Sequence, residues 1–181
     1  MDDIRSFDSL FIYVTHEHKD HLDMDFLSAI NHRNAQLLFP KYRSDIMRDT
    51  FSELKNMSQK EIKELDRYDF EEFALRIFVD DTELTRDSAI AIESNDSVFL
   101  NINDCKVHDR INEIKSYYPK INTFAAQFSG ATWHPVCYDM PDYVKNKISE
   151  KKKLGKFKQI METIIQVSPE SYIPSAGPPV F

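Results

Sequence analysis

The 181-residue chain is predicted to fold as an α/β layered domain. Two observations lead there. Short apolar runs of strand length alternate with segments of helical periodicity, the pattern of helices packed on sheets. Hydrophobic residues supply 41% of the sequence and charged residues 29%, which allows a packed core and excludes bulk disorder. A single domain over residues 1–181 is expected.

Residues 9–14 (SLFIYV) read as a buried strand. Leu22, Phe26, Leu27 and Ile30 fall at helical spacing over 22–30, and Asp23 and Asp25 suit the positive end of the helix dipole. Residues 36–39 read as a strand that stops at Pro40. Ile46, Met47, Phe51 and Leu54 mark a helix over 43–54. Residues 56–73 are too polar to place. Strands are predicted at 75–79, 88–93 and 98–102. The turn residues Ser94, Asn95 and Asp96 join the last two as a hairpin. A helix over 107–117, a buried strand over 123–128 and a helical stretch over 141–167, broken near Gly155, follow. Tyr172 and Ile173 begin a last extended piece, and Pro174, Pro178 and Pro179 break regular structure. The run Glu150-Lys151-Lys152-Lys153 reads as a solvated helix end or turn.

Composition removes several functions. Thirty acidic against 23 basic residues give a formal charge of -7, the wrong balance for a non-specific nucleic-acid binder. No apolar run approaches the roughly 18 residues that cross a bilayer. No charged segment leading into an apolar one opens the chain, so no secretory signal is expected. Cys105 and Cys137 are too few for a disulfide framework and fit a reducing cytoplasm. Three glycines exclude a glycine-rich phosphate loop.

The informative feature is His16-x-His18-x-Asp20-His21, in the loop between the first strand and the first helix. Alternate residues of an extended backbone point the same way, so His16 and His18 can converge on one metal. Asp20 and His21, past the turn, can face a second. Imidazole and carboxylate suit Zn²⁺ and also Fe. A metal held this way makes a nucleophile from water at neutral pH, and two can clamp attacking and leaving oxygens. The bland alternative is a polar loop of surface or capping histidines.

The strand, the HxHxDH box and the following helix resemble the metallo-β-lactamase fold, an αββα sandwich with a metal site at the sheet edges. By that resemblance His16 and His18 bind the first metal, Asp20 and His21 the second, and Asp20 is the catalytic residue that orients water or shuttles protons. The family's bridging aspartate matches Asp104, after Phe99-Leu100-Asn101-Ile102-Asn103. The alternative for Asp104 is a helix N-cap. Phe128-Ser129-Gly130-Ala131, Trp133-His134-Pro135-Val136-Cys137-Tyr138, Asn103-Asp104-Cys105 and Pro174-Ser175-Ala176-Gly177-Pro178-Pro179 resemble the lineage that contains CMP-N-acetylneuraminate hydroxylase. The ascorbate-6-phosphate lactonase branch is a more distant likeness.

Two departures stand out. The family usually has a third-strand histidine, but no histidine lies between His32 and His108. Its place falls within Asp80 to Asp87, where Glu83 and Asp87 are candidate substitutes. Oxygen ligands would shift preference from zinc toward iron or harder ions. The alternative is that these acids line a solvated loop. The chain also lacks the strands that precede the box in the family. It is therefore expected to be a piece of a longer protein, incomplete at its N-terminal sheet. Trp133 and His134 are candidate substrate contacts, with ordinary packing as the alternative. Cys105 reads as a small buried thiol.

Three functions follow in order. The first is metal-dependent hydrolysis of a small molecule with one or two Zn²⁺ or Fe ions. The second is an iron-dependent oxygenase with an external Rieske donor, because this chain lacks the paired Cys and His ligands of a Rieske centre. The third is a non-catalytic metal-binding fragment. No nucleic-acid or membrane partner is expected.

Overall fold

The computed structural model describes residues 8–19, 21–31, 34–82, 85–128 and 134–175. Two compact units divide the chain, Met1–Ala89 and Ile90–Phe181.

In the first unit β1 (Leu10–Tyr13), β2 (Ala35–Pro40) and β3 (Ser58–Ile62) form a parallel sheet in the order β1-β2-β3. The central strand buries Ala35, Leu37, Leu38 and Phe39, as a parallel strand covered on both faces must. Helix α1 (Met24–Ala29) starts at Asp23, whose carboxylate accepts the backbone N–H of Phe26 at 2.9 Å. Helix α2 (Ile46–Phe51) sends Met47 and Phe51 into the core, and the Phe51 ring lies 5.1 Å from that of Phe39. Both helices are shorter than the apolar spacing suggested.

Strand β3 lies in the polar stretch that periodicity cannot place. Only Ile62 of its five residues is buried. Backbone pairing with β2 holds it, and the Gln59 side-chain amide donates to the carbonyls of Phe51 and Leu54 at 2.7 and 3.1 Å. The Phe51 carbonyl ends α2 and that of Leu54 lies just beyond it, where each also accepts a backbone N–H, from Leu54 at 3.0 Å and from Met57 at 3.4 Å. Strands β4 (Tyr68–Asp69), β5 (Ala74–Asp81) and β6 (Arg86–Ser94) follow, neighbours in that order. β5 buries Leu75, Ile77 and Phe78.

In the second unit the order is β6-β7-β8-β9, with β7 (Ser97–Asn103), β8 (Thr123–Gln127) and β9 (Ser171–Ser175). The expected hairpin is present. Asn95 and Asp96 carry φ of 48° and 62°, the positive values of a two-residue hairpin turn. A 3-10 turn (His108–Arg110) leads into α3 (Ile111–Tyr117). Leu100, Ile102, Ile111, Ile114, Phe124 and Ile160 are buried.

Two expectations are corrected here. Helix α4 (Asp142–Val167) runs 26 residues through Gly155 without a break. One exposed glycine costs about 1 kcal/mol relative to alanine, too little to interrupt a helix anchored by Ile160, Thr163 and Val167. Pro174 does not end regular structure either. It lies in β9, opposite Ala126, at the outer edge of the strand order, where a missing N–H breaks no ladder. Among the described residues, no helix is long and apolar enough to cross a membrane.

Candidate metal centre

The box begins three residues after β1 ends, and Val14 between them still donates to the Leu38 carbonyl at 3.0 Å. From there side chains distant in sequence fix the loop. The Thr15 carbonyl accepts from the Tyr42 hydroxyl at 2.5 Å and from the Ser88 hydroxyl at 3.3 Å. Glu17 pairs with Arg86. The His18 carbonyl accepts the N–H groups of His21 and Leu22 at 2.9 and 2.8 Å, a tight turn that brings His21 back toward the strand.

Three imidazoles therefore gather within the first unit. The His16 ring centroid lies 4.4 Å from that of His18 and 4.3 Å from that of His21. Nε2 of His16 faces Nδ1 of His18 at 2.9 Å. His16 is 1% exposed, whereas His18 is open to solvent. On its other side, Nδ1 of His16 lies 3.0 Å from Asp87 Oδ1 and 3.0 Å from the Thr15 hydroxyl. A carboxylate at Nδ1 favours the tautomer with its proton there. That leaves the Nε2 lone pair for a metal.

The donor set fits an ion. Two imidazole nitrogens bound tetrahedrally at 2.0–2.1 Å stand about 3.3 Å apart. The two rings need to part by only a few tenths of an ångström to meet that distance.

Of the residues singled out in the sequence, His16, His18 and His21 converge. Asp87 joins them from behind His16, buried, at the start of β6. Asp20, Glu83 and Trp133 lie outside the described residues. Asp104 lies in the second unit, half-buried, just past β7. A register shift occurs between Asn101 and Asn103, and Asn103 takes a φ of 52°. Such bulges re-aim a chain at strand ends, often beside active sites. Asp104 is not a helix N-cap, since Val107 precedes the 3-10 turn and Arg110 precedes α3. Cys105 is buried, as expected of a packed thiol. His134 sits half-buried in a turn, its ring edge-on to Tyr138 at 5.0 Å. The supports at Tyr42, Arg86 and Ser88 carry no sequence signal, because they reach the loop from just past β2 and from β6, far away in sequence.

No family model matches the chain. It is 29% identical over 180 residues to a protein of Mycobacterium tuberculosis (strain H37Rv) whose name includes the words Rieske 2Fe-2S iron-sulfur protein. That match covers 94% of this chain and 34% of the relative. The chain thus spans about a third of the length of the curated relatives it matches. Among solved structures it resembles CmlA, a diiron β-hydroxylase from Streptomyces venezuelae. The TM-score is 0.64 at 16% identity, over 90% of this chain and 34% of that one. It also resembles YhfI from Bacillus subtilis, a metallo-β-lactamase fold protein. There the TM-score is 0.51 at 11% identity, over 93% of this chain and 76% of that one. With a mixed α/β architecture and these likenesses, the chain has the metallo-β-lactamase fold.

Proposed function

We propose that the chain is the metal-binding part of an iron-dependent oxygenase acting on a small molecule, with its electrons supplied by a Rieske centre elsewhere. Asp87 carries this reading. It is a buried carboxylate 3.0 Å from the first box histidine, on a strand where the resemblance expects an imidazole. Asp87 itself sits behind His16, so any ligand that this stretch adds is a carboxylate such as Glu83, which hardens the donor set and favours iron over zinc. The names of the curated relatives and the likeness to CmlA favour the same class. They raise oxygenation above hydrolysis, which the sequence alone placed first. No Cys-x-His pair occurs in the chain, so the Rieske ligands are not its own.

In this reading His16 and His18 hold one ion, Asp20 and His21 a second, and Asp104 is a further ligand on the strength of the sequence resemblance. Glu83 is the candidate for a further carboxylate ligand, on the strength of the sequence resemblance. Asp87 keeps the His16 proton on Nδ1. Asp20 moves a proton beside the substrate, which Trp133 and His134 help to enclose. Bound iron would supply the redox chemistry of oxygen activation.

The test is the metal content and visible spectrum of protein purified aerobically without added metal. Iron at one or two ions per chain with visible absorption is expected. Colourless protein carrying only zinc, unchanged by exposure to ferrous iron, overturns oxygenation in favour of hydrolysis. Metal content unaffected in both His16→Ala and His18→Ala would leave a non-catalytic fragment.

A further inference from the structure

Helix α4 carries two stripes on opposite faces. Ile160, Thr163 and Val167 are buried, on the face that packs against α3 and β8. About half a turn round the helix, Tyr143, Leu154, Met161 and Ile165 are 76%, 59%, 55% and 72% exposed. At 3.6 residues per turn their spacing brings all four within about 40° of arc. At 1.5 Å per residue the stripe runs about 33 Å along the helix. A single exposed apolar residue needs no explanation, but four aligned on one helix face form a contact surface.

The sequence of the stripe indicates what covers it, because it is complementary to itself in reverse about Leu154. Tyr143 lies as far before Leu154 as Ile165 lies after it. The same holds for Lys147 and Met161, and for Glu150 and Lys158. A second copy of the helix, laid antiparallel with both Leu154 side chains at the twofold axis, therefore sets Tyr143 against Ile165 and Glu150 against Lys158 of the other copy. It also lays the aliphatic stem of Lys147 on Met161, and each of these contacts occurs twice. Parallel pairing would instead bring Lys147, Glu150 and Lys158 each against its own like charge. In the single chain Glu150 pairs with Lys153 at 2.7 Å and Lys158 with Glu162 at 3.8 Å. Such pairs at a helix surface hold little free energy and yield readily to a new partner.

We propose that α4 is the interface of a homodimer, an antiparallel pair of α4 helices that cross at Leu154. The inference goes beyond the proposed function and needs neither metal nor substrate. Four large side chains per copy place the contact at the low end of interface sizes, below about 1,200 Å² in total. A dissociation constant in roughly the micromolar range is expected.

The test is sedimentation equilibrium of the full chain from about 1 to 200 μM. Wild type should pass from monomer to dimer. Leu154→Glu sets two carboxylates at the axis and should leave a monomer throughout. Leu154 is exposed in the monomer, so the denaturation midpoint of this variant in dilute solution should match wild type. Glu150→Lys turns two attractive pairs into repulsive ones and should raise the dissociation constant about tenfold. Adding Lys158→Glu to that variant should restore wild-type affinity, an outcome that only a second copy in this register produces. If Leu154→Glu fails to fold, the charge exchange decides alone. Undiminished dimerisation in a folded Leu154→Glu, or no restoration in the double variant, overturns the inference. A wild type that stays monomeric at every concentration also overturns it and assigns the stripe to a different occupant.

Discussion

Oδ1 of Asp87 lies 3.0 Å from Nδ1 of His16, and both residues are buried. The same carboxylate oxygen accepts the backbone N–H of Ser88 at 2.7 Å, so Asp87 is itself held in place. The pair fixes both the plane and the tautomer of a ring that would otherwise choose between two protonation patterns. It converts a flexible loop histidine into a preset donor.

Replacing Asp87 with Asn keeps the shape and removes the charge. Metal affinity should fall about 10- to 100-fold, the usual cost of losing a group that orients a metal-bound imidazole. Competition against a chromophoric chelator measures it. Unchanged affinity would show that Asp87 neither orients His16 nor binds metal.

The box histidines should separate metal binding from folding. His18 is exposed, so His18→Ala should shift unfolding stability by no more than about 0.5 kcal/mol while removing bound metal. His16→Ala should also remove metal, but it strips Asp87 of a buried partner. Its cost is about 1–3 kcal/mol. Chemical denaturation of the metal-free proteins compares the two. An equal loss of stability in both variants contradicts the burial contrast.

Much of this arrangement was visible before the structure, for identifiable reasons. Three imidazoles at alternating spacing on the exit of an apolar strand have few other uses, so His16, His18 and His21 could be named. Asn95 and Asp96 announced their hairpin because few residues tolerate positive φ. Strand β3 was hidden because Ser58, Gln59, Lys60 and Glu61 owe their conformation to β2 rather than to their own pattern. The contact of Tyr42 with Thr15 and that of Arg86 with Glu17 join residues 27 and 69 apart in sequence. Local patterns do not reach so far. The lysine run at 151–153 shows the same limit within three residues. Lys153 pairs with Glu150 at 2.7 Å on the surface, as a solvated run should, although the run lies inside α4 and not at the expected helix end or turn. Lys152 instead reaches back to His134, a difference set by the phase of the helix.

Acid should weaken the second unit through His108. Burial, and then the charge of Lys156, lower its pKa below 6.5, while Asp109 opposes them. The unfolded chain therefore takes up this proton first as pH falls. The stabilising contribution is complete above the unfolded value of 6.5 and is lost as pH drops through the lower folded value. In His108→Gln, which can still meet the Thr163 hydroxyl, the decline of unfolding free energy below about pH 6.5 should be shallower than in wild type. Denaturant titrations at a series of pH values give the two slopes, and parallel slopes would remove His108 from the account.

The unbroken course of α4 has its own consequence at Gly155. Apart from its chain neighbours and the adjoining helix backbone, no heavy atom lies within 4 Å of the position a β-carbon would occupy there, and the backbone stays helical on both sides. Alanine therefore meets no obstacle, and it loses less backbone freedom on folding than glycine does. Gly155→Ala should stabilise the protein by about 0.5–1 kcal/mol, seen as a raised denaturation midpoint at constant slope. The same substitution would destabilise a helix that bent at this residue, because a bend places glycine in angles that alanine avoids. A lowered midpoint would thus restore the break that the sequence suggested. It would also undo the alignment of Tyr143, Leu154, Met161 and Ile165 on one stripe, since that alignment depends on an uninterrupted helical phase from Tyr143 to Ile165.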